Sequence, residues 1–346
     1  MRDVVIALLP CIFMAYMAFG LPALSLMAVS VGSALVAEFL FSLLFLHRID
    51  TLGDGSAVVS GLLLSCTLGA FTPLPVVAFG AASAVVFGKL LWGGIGRNLF
   101  NPALTGREFM TVFFPTVMTS GGIWYNEDAV NHASIRLTGS GLFDQLLFNP
   151  TGALGEYSIF SLVLGGLYLL FRHRITWHIP FTLLSVFILT LSFMRLLGVQ
   201  GLTFSMGGVI LGTVFMATDM PTSPSTSQGK CYYGAMVGLS AALFIAMGAK
   251  YEYMSYSILL LNGVAPLIDR YVRPRVWGCK PHFGEMSLKC LLMTIGIIAA
   301  VMLISVLPKV GVQGLLYLFI LYSVYRFVAV DLRNLHLRDE RMTRMD

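Results

Sequence analysis

Three stretches of this chain carry residues able to do chemistry. The first is GRNLFNPALTGRE, Gly96 to Glu108, in which Asn101-Pro102 stands directly before an apolar run. An Asn side chain accepts from the free N–H groups of a helix start and Pro suits the first helical position, so the pair reads as a capped helix start. The same N–H groups favour an anionic group, and Arg97 and Arg107 lie nearby to assist. The second stretch is ATDMPTSPSTSQGK, Ala217 to Lys230, where Asp219 stands among Thr218, Thr222, Ser223, Ser225, Thr226 and Ser227. Such oxygens suit Na⁺ or the hydroxyls of a polar ligand, and the same composition also makes an ordinary turn. The third feature is Glu38, ten residues before Arg48 in one apolar run. At 1.5 Å per residue it lies about 15 Å deep, near the middle of a ~30 Å hydrocarbon core. A carboxylate there marks a candidate ion or proton path, or a protonated Glu hydrogen-bonded between helices.

The elements that hold these residues are solvated by lipid. Of 346 residues, 57% are apolar and 11% charged, with a mean hydropathy of +0.83. Soluble chains carry about 25% charged residues, so disorder, nucleic-acid-binding tails and a large extramembrane catalytic domain are excluded. The five Cys are scattered without a C-x-x-C pair, no G-x-x-x-x-G-K-[ST] loop or G-x-S-x-G elbow occurs, and the six His form no i, i+4 pair. Disulfide-framework, hydrolase, ATPase and helical-haem readings therefore lack support.

A span needs ~20 helical residues, which places helices near 4–20, 23–46, 55–71, 74–92, 103–119, 157–171, 179–197, 203–218, 232–248, 255–268, 287–307 and 313–330. The first shows no cleavage pattern and reads as a retained span. Twelve spans put both termini on one face. Under that alternation Arg136, Arg195, Lys250 and Lys309 fall on the opposite face and the other eighteen Lys and Arg on the terminal face. The positive-inside rule then makes both termini of this multi-pass protein cytoplasmic. Lys89 and Arg195 lie near span ends, where snorkelling accounts for them. The long connection, residues 120–156, is outward and bears Glu127, Asp128, Asp144 and Glu156. Spans one to five start inside and end outside while spans six to ten start outside and end inside, which is compatible with an inverted repeat of five helices. The breaks at Asp54-Gly55-Ser56, Gly93 to Pro102 and Thr218 to Pro224 are the discontinuous helices that bind ions in many transporters. Gly208/Gly212 and Gly234/Gly238 are spaced for close helix packing.

Taken in order, DVVIALLPC (Asp3 to Cys11), DGSAVVSGLLLS (Asp54 to Ser65), GRNLFNPALTGREF (Gly96 to Phe109), the run Gly155 to Ser158, RHRITWHIP (Arg172 to Pro180), GGVILGTVFMATDMPTSP (Gly207 to Pro224) and SILLLNGVAPLIDRYVRPRVWG (Ser257 to Gly278) span about four-fifths of the chain. Together they resemble the RnfD/NqrB family, the membrane flavoprotein subunits of Rnf-type ferredoxin:NAD⁺ and Nqr-type NADH:quinone ion-pumping oxidoreductases, and most of all its RnfD branch. The resemblance implies an all-α polytopic membrane protein with a ten-helix, inverted-repeat-like core of broken helices over residues 1–278. It also implies an FMN bound through its phosphate on the outer loop, in a pattern like Asp-x-x-Ser/Thr-Gly-Ala-Thr/Ser. The matching stretch is Asp128-Ala129-Val130-Asn131-His132-Ala133-Ser134. Asp128, Ala133 and the Ser134 hydroxyl agree with the pattern, while Asn131 and His132 depart from it. A Ser oxygen forms the same phosphoester as Thr; His in place of Gly hinders a close approach or a positive φ.

On this resemblance Ser134 anchors FMN, Asp128 orients the donor, and Glu156, Tyr157 and Ser158 line the pocket. Asn101, Asp219 and Thr222 belong to the broken segments of the inner half, where a second, noncovalent flavin binds. The implied function is an electron-carrying subunit of an ion-translocating oxidoreductase moving Na⁺ or H⁺, with other membrane and flavoprotein subunits as partners, the lipid bilayer around it and no nucleic acid. The competing reading is a flavin or small-solute transporter or channel on the same core without electron transfer, which Asn131 and His132 favour. The matching segments start at the first span, without the cytoplasmic segment that usually precedes it. Residues 279–346 append two helices and a basic tail, placed to dock another subunit.

Overall fold

The computed structural model describes residues 1–46, 50–123, 152–249, 251–272, 283–306 and 310–342. A helix stands at each place where hydropathy expects a span: α1 (Arg2–Phe19), α2 (Leu21–Phe41), α3 (Ser56–Cys66), α4 (Leu74–Gly88), α5 (Pro102–Phe113), α6 (Ile159–Phe171), α7 (His178–Leu196), α8 (Met206–Leu211), α9 (Ser227–Ala246), α10 (Tyr253–Tyr271), α11 (Phe283–Val306) and α12 (Val310–Met342). Seven of these are long and apolar enough to cross a membrane, namely α1, α2, α4, α7, α9, α11 and α12, while α3, α6 and α8 are shorter apolar helices. The chain is an all-helical integral membrane protein.

The difference from twelve uniform spans has a local cause. Apolar side chains continue past the point where the backbone stops being helical: α3 ends at Cys66 although Leu68, Ala70 and Phe71 follow, and α8 passes after six residues into a π-helical turn, Gly212–Met216. Hydropathy reads side chains and misses such breaks.

Helix order recurs between the two halves. In the first, α4 packs between α2 and α5; in the second, α9 packs between α7 and α10, and α1 faces α6. The third helix of each half, α3 or α8, is the short one. The same order of contacts therefore appears twice along the described chain.

Small residues set the closeness of these contacts. A Cβ on Gly234 would fall 2.8 Å from the Ile179 carbonyl oxygen, and one on Gly238 2.5 Å from that of Leu183, so this pair brings α9 against α7 as its spacing predicts. Gly208 instead faces the Glu156 carboxylate and Gly212 faces Met254. Gly88, at the end of α4, has no room for a side chain because the Pro102 Cα lies 2.7 Å from where its Cβ would be.

The appended helices dock on their own core. On α11, the Cys290 carbonyl accepts from the Tyr232 hydroxyl at 3.0 Å. On α12, Phe319 stacks on Trp92 with centroids 6.1 Å apart and the Arg326 guanidinium lies 4.5 Å from the Trp92 ring centre. The other face of α12 exposes Leu318, Leu321 and Tyr325. Residues 273–282, which include the expected boundary at Gly278, lie outside the described residues.

Gly88→Val forces Pro102, the first residue of α5, away from α4. It lowers stability by about 1–3 kcal/mol, read as a fall in the unfolding midpoint of the purified protein in detergent. Gly32→Ala, where nothing lies within 4 Å of the new Cβ, does not lower the midpoint.

Candidate functional site

The starts of α3 and α5 and the end of α8 converge on a cavity of about 430 Å³, closed on another side by Met1, Asp3 and Arg174. Ser56, Lys89, Asn98, Asn101, Thr218 and Asp219 give it a polar wall; Val59, Leu63, Val214 and Phe215 give it an apolar one. Asn101 is 2% exposed and its side-chain oxygen accepts from the N–H groups of Ala103 and Leu104 at 3.0 and 3.3 Å. Pro102 is the first residue of α5. The capped start expected from Asn-Pro is present.

Against this start, Asn262 of α10 ties the breaks together. With its amide turned to suit its neighbours, it accepts from the Asn101 N–H at 3.1 Å and donates to the Thr222 carbonyl at 3.2 Å. The Asn101 side chain in turn donates to the Met216 carbonyl at 3.4 Å. Thr222 itself is buried and donates its hydroxyl to Asp219 at 3.4 Å. Asn101, Asp219 and Thr222 therefore form one connected group, with Asn101 and Asp219 on the cavity wall and Thr222 behind them.

Lys89 is buried at 2% exposure and does not snorkel, which corrects the reading from its place near a span end. Its ammonium donates to Glu38 Oε1 at 2.6 Å, to Asp54 Oδ2 at 3.0 Å and to the Ser56 hydroxyl. Glu38 is fully buried, but it stands opposite the start of α3 and not in isolation at mid-depth. Asp54 also accepts from the Ser56 N–H at 2.7 Å, capping α3. Partial burial opposes charge on Asp54, but the hydrogen bonds from Ser56 and the nearby ammonium outweigh it and hold the carboxyl below its ordinary range.

A second polar group gathers at the opposite ends of α3 and α5. Arg107 is 4% exposed and grips Glu252 with two bonds, Nε to Oε2 at 2.8 Å and Nη2 to Oε1 at 3.0 Å; it also donates to the Thr67 carbonyl. Arg107 therefore lies away from the cap at Asn101 and does not serve an anion there, and Arg97 is exposed outside the cavity. The count of basic residues on the terminal face loses Lys89 and Arg107, both buried in the core.

Glu156 reaches the first turn of α8, where Gly207 and Gly208 make room for it and Ser205 hydrogen-bonds its carboxyl. Burial pushes that carboxyl above its usual range, and Ser205 and Arg107 oppose the shift. Tyr157 packs edge-on against Phe19 at 5.8 Å, and Ser158 caps α6 by accepting from the Ser161 N–H at 3.3 Å. These three residues stand together, at the far end from Asn101, Asp219 and Thr222. Asp128 and Ser134 lie outside the described residues.

Sequence reasoning passed over the partners of Lys89, the Arg107–Glu252 pair and Asn262. A Lys inside the apolar run VVFGKLLW, facing two intramembrane acids elsewhere, was the available signal.

Fold and site define a polytopic membrane protein whose broken helices meet around a cavity with a polar wall, next to a buried ion pair. The family model described as NQR2, RnfD, RnfE matches residues 1–278, and the chain belongs to that family. It is 37% identical over 290 residues to the D subunit of the Na(+)-translocating ferredoxin:NAD(+) oxidoreductase complex of Acetobacterium woodii, covering 80% of this chain and 90% of that one. It is 35% identical over 311 residues to the D subunit of the proton-translocating ferredoxin:NAD(+) oxidoreductase complex of Clostridium ljungdahlii, with 81% and 91% covered. The D subunit of the ion-translocating oxidoreductase complex of Stutzerimonas stutzeri is 31% identical over 328 residues, with 80% and 91% covered.

Removing one member of the buried pair exposes its worth. Lys89→Met takes the ammonium from Glu38 and destabilises the protein by about 3–5 kcal/mol. Combining it with Glu38→Gln recovers most of that loss in denaturant or thermal unfolding. Equal losses in the single and double variants would show that the pair is not coupled.

Proposed function

We propose that this chain is the RnfD component of an Rnf-type ferredoxin:NAD⁺ oxidoreductase complex, carrying FMN and coupling electron transfer to movement of Na⁺ or H⁺. The observation that carries this reading is the family match over residues 1–278, joined to relatives named as the D subunits of such complexes and matched over nine-tenths of their own length. Its partners are the other membrane and flavoprotein subunits of that complex. Its place is the bacterial inner membrane, with both termini cytoplasmic, as the bias of basic residues suggests.

The inner cavity suits a flavin without a bare phosphate. Its volume of about 430 Å³ falls within the range of about 300–1,000 Å³ seen for cofactor sites. Its cations are already neutralised, Lys89 by Glu38 and Asp54, and Arg174 by Asp3. The N–H groups at the start of α5 are taken by Asn101. A second, noncovalent flavin would be held there, beside Asn101, by hydrogen bonds donated by Ser56 and accepted by Asp219, and by packing on Val214 and Phe215. FMN supplies one- and two-electron redox chemistry through its isoalloxazine ring. Ser134 is the hydroxyl that would carry the covalent FMN, with Asp128 orienting the donor. Arg107 and Glu252 tie the middle of α5 to the start of α10.

Expression with a flavin transferase, followed by denaturation and in-gel fluorescence, tests the assignment. A fluorescent band in the native chain that is lost in Ser134→Ala supports the electron carrier. A chain that takes up no covalent flavin turns the reading towards flavin or solute transport on the same core.

A further inference from the structure

Between the core and the appended helices lies a second cavity, of about 380 Å³, unrelated to the first. Its walls come from α5 (Thr105, Glu108), α10 (Tyr256, Leu259, Leu260, Gly263, Val264), α11 (Ile304) and α12 (Leu315, Leu316, Phe319), with Phe100 at the edge. Nearly all of that surface is hydrocarbon. Glu108 is the exception. It is 5% exposed, and neither carboxyl oxygen has a hydrogen-bond partner among the described residues. Its neighbour Arg107 is turned away onto Glu252.

An unpartnered carboxyl in an apolar cavity is an expensive arrangement. Water does not remove the cost readily, because apolar cavities of this kind stay dry and take up hydrocarbon. A bare hard cation is a poor fit. It gathers about six oxygens, whereas the wall offers only one carboxyl and the hydroxyls of Thr105 and Tyr256. Both unmet needs are satisfied by one kind of molecule. We propose that the cavity between α5, α10 and the appended helices binds a lipophilic amphiphile whose single hydrogen-bond-donating end, ammonium or hydroxyl, reaches Glu108. Its body replaces missing packing between core and appendage, so the appended helices complete a binding site.

The test uses the full chain in lipid nanodiscs and three fluorescent probes of one size: pyrenemethylamine, pyrenemethanol and pyrene. Trp92 stacks on Phe319 in the cavity wall at 6.1 Å, so occupancy is read as saturable tryptophan-to-pyrene energy transfer. The two donor-bearing probes, or one of them, bind about tenfold or more tighter than pyrene, equivalent to about 1.4 kcal/mol. Glu108→Leu reduces them to the level of pyrene, and it removes a buried polar group, so it does not threaten the fold. Glu108→Gln keeps an acceptor but no charge, so it weakens the amine and spares the alcohol. Gly263→Leu fills the space, since a Cβ there meets only the Phe100 ring, at 3.6 Å, and it abolishes saturable binding of all three. Pyrene binding as tightly as its donor-bearing analogues would overturn the proposal, as would donor probes unaffected by Glu108→Leu or by Gly263→Leu. None of these readouts depends on flavin, so failure here is separate from failure of the redox assignment.

Discussion

A helix that stops inside hydrocarbon leaves backbone groups with no solvent to receive them, and this architecture is organised around meeting that demand from within. Asp54 serves the start of α3, Asn101 that of α5, Ser158 that of α6, Ser205 that of α8 and Thr226 that of α9. Asn262 then links two breaks that are far apart in sequence. Because three broken ends are satisfied by side chains at the same end of the bundle, they can stand around an open volume without collapsing onto one another. The cavity is a consequence of capping.

Charge follows the same rule. Each buried cation described in the core is matched by carboxylates, Lys89 by Glu38 and Asp54 at one end, Arg107 by Glu252 at the other. In a medium of low dielectric such pairs add little net stability, but losing one member is costly, so they fix which helices meet and in what register. The inner cavity inherits cations that already have carboxylate partners. This favours ligands that hydrogen-bond over those bearing a bare phosphate.

Much of the helical arrangement was readable in the chain. Each hydropathic run became a helix, and the Asn101-Pro102 dipeptide announced its own cap because capping is local, needing only residues two and three positions ahead. The packing role of Gly234 and Gly238 was legible for the same reason. What escaped was non-local. Lys89 and Glu38 are 51 positions apart and Arg107 and Glu252 145 apart, and nothing in the spacing of either pair says they will touch. Counting Arg107 and Lys89 as face-marking charges was the natural error, since topology rules treat a basic residue near a span end as wet. The short lengths of α3 and α8 were hidden by apolar side chains that outlast the helical backbone. Of the site residues, Asn101, Asp219 and Thr222 stand together, a convergence that only the resemblance implied, while Glu156 and Ser158 hold helix starts at the other end.

The last helix carries its own geometric consequence. Its 33 residues, Val310–Met342, extend about 50 Å at 1.5 Å per residue, against a hydrocarbon thickness of about 30 Å. Only Gln313–Val330 is apolar enough to lie in lipid, so the remainder rises from the bilayer as a stiff mast. Whatever grips its tip is held at a set height above the lipid headgroups and at a set bearing to the core, because Trp92 and Arg326 clamp the base of the mast where it leaves the membrane.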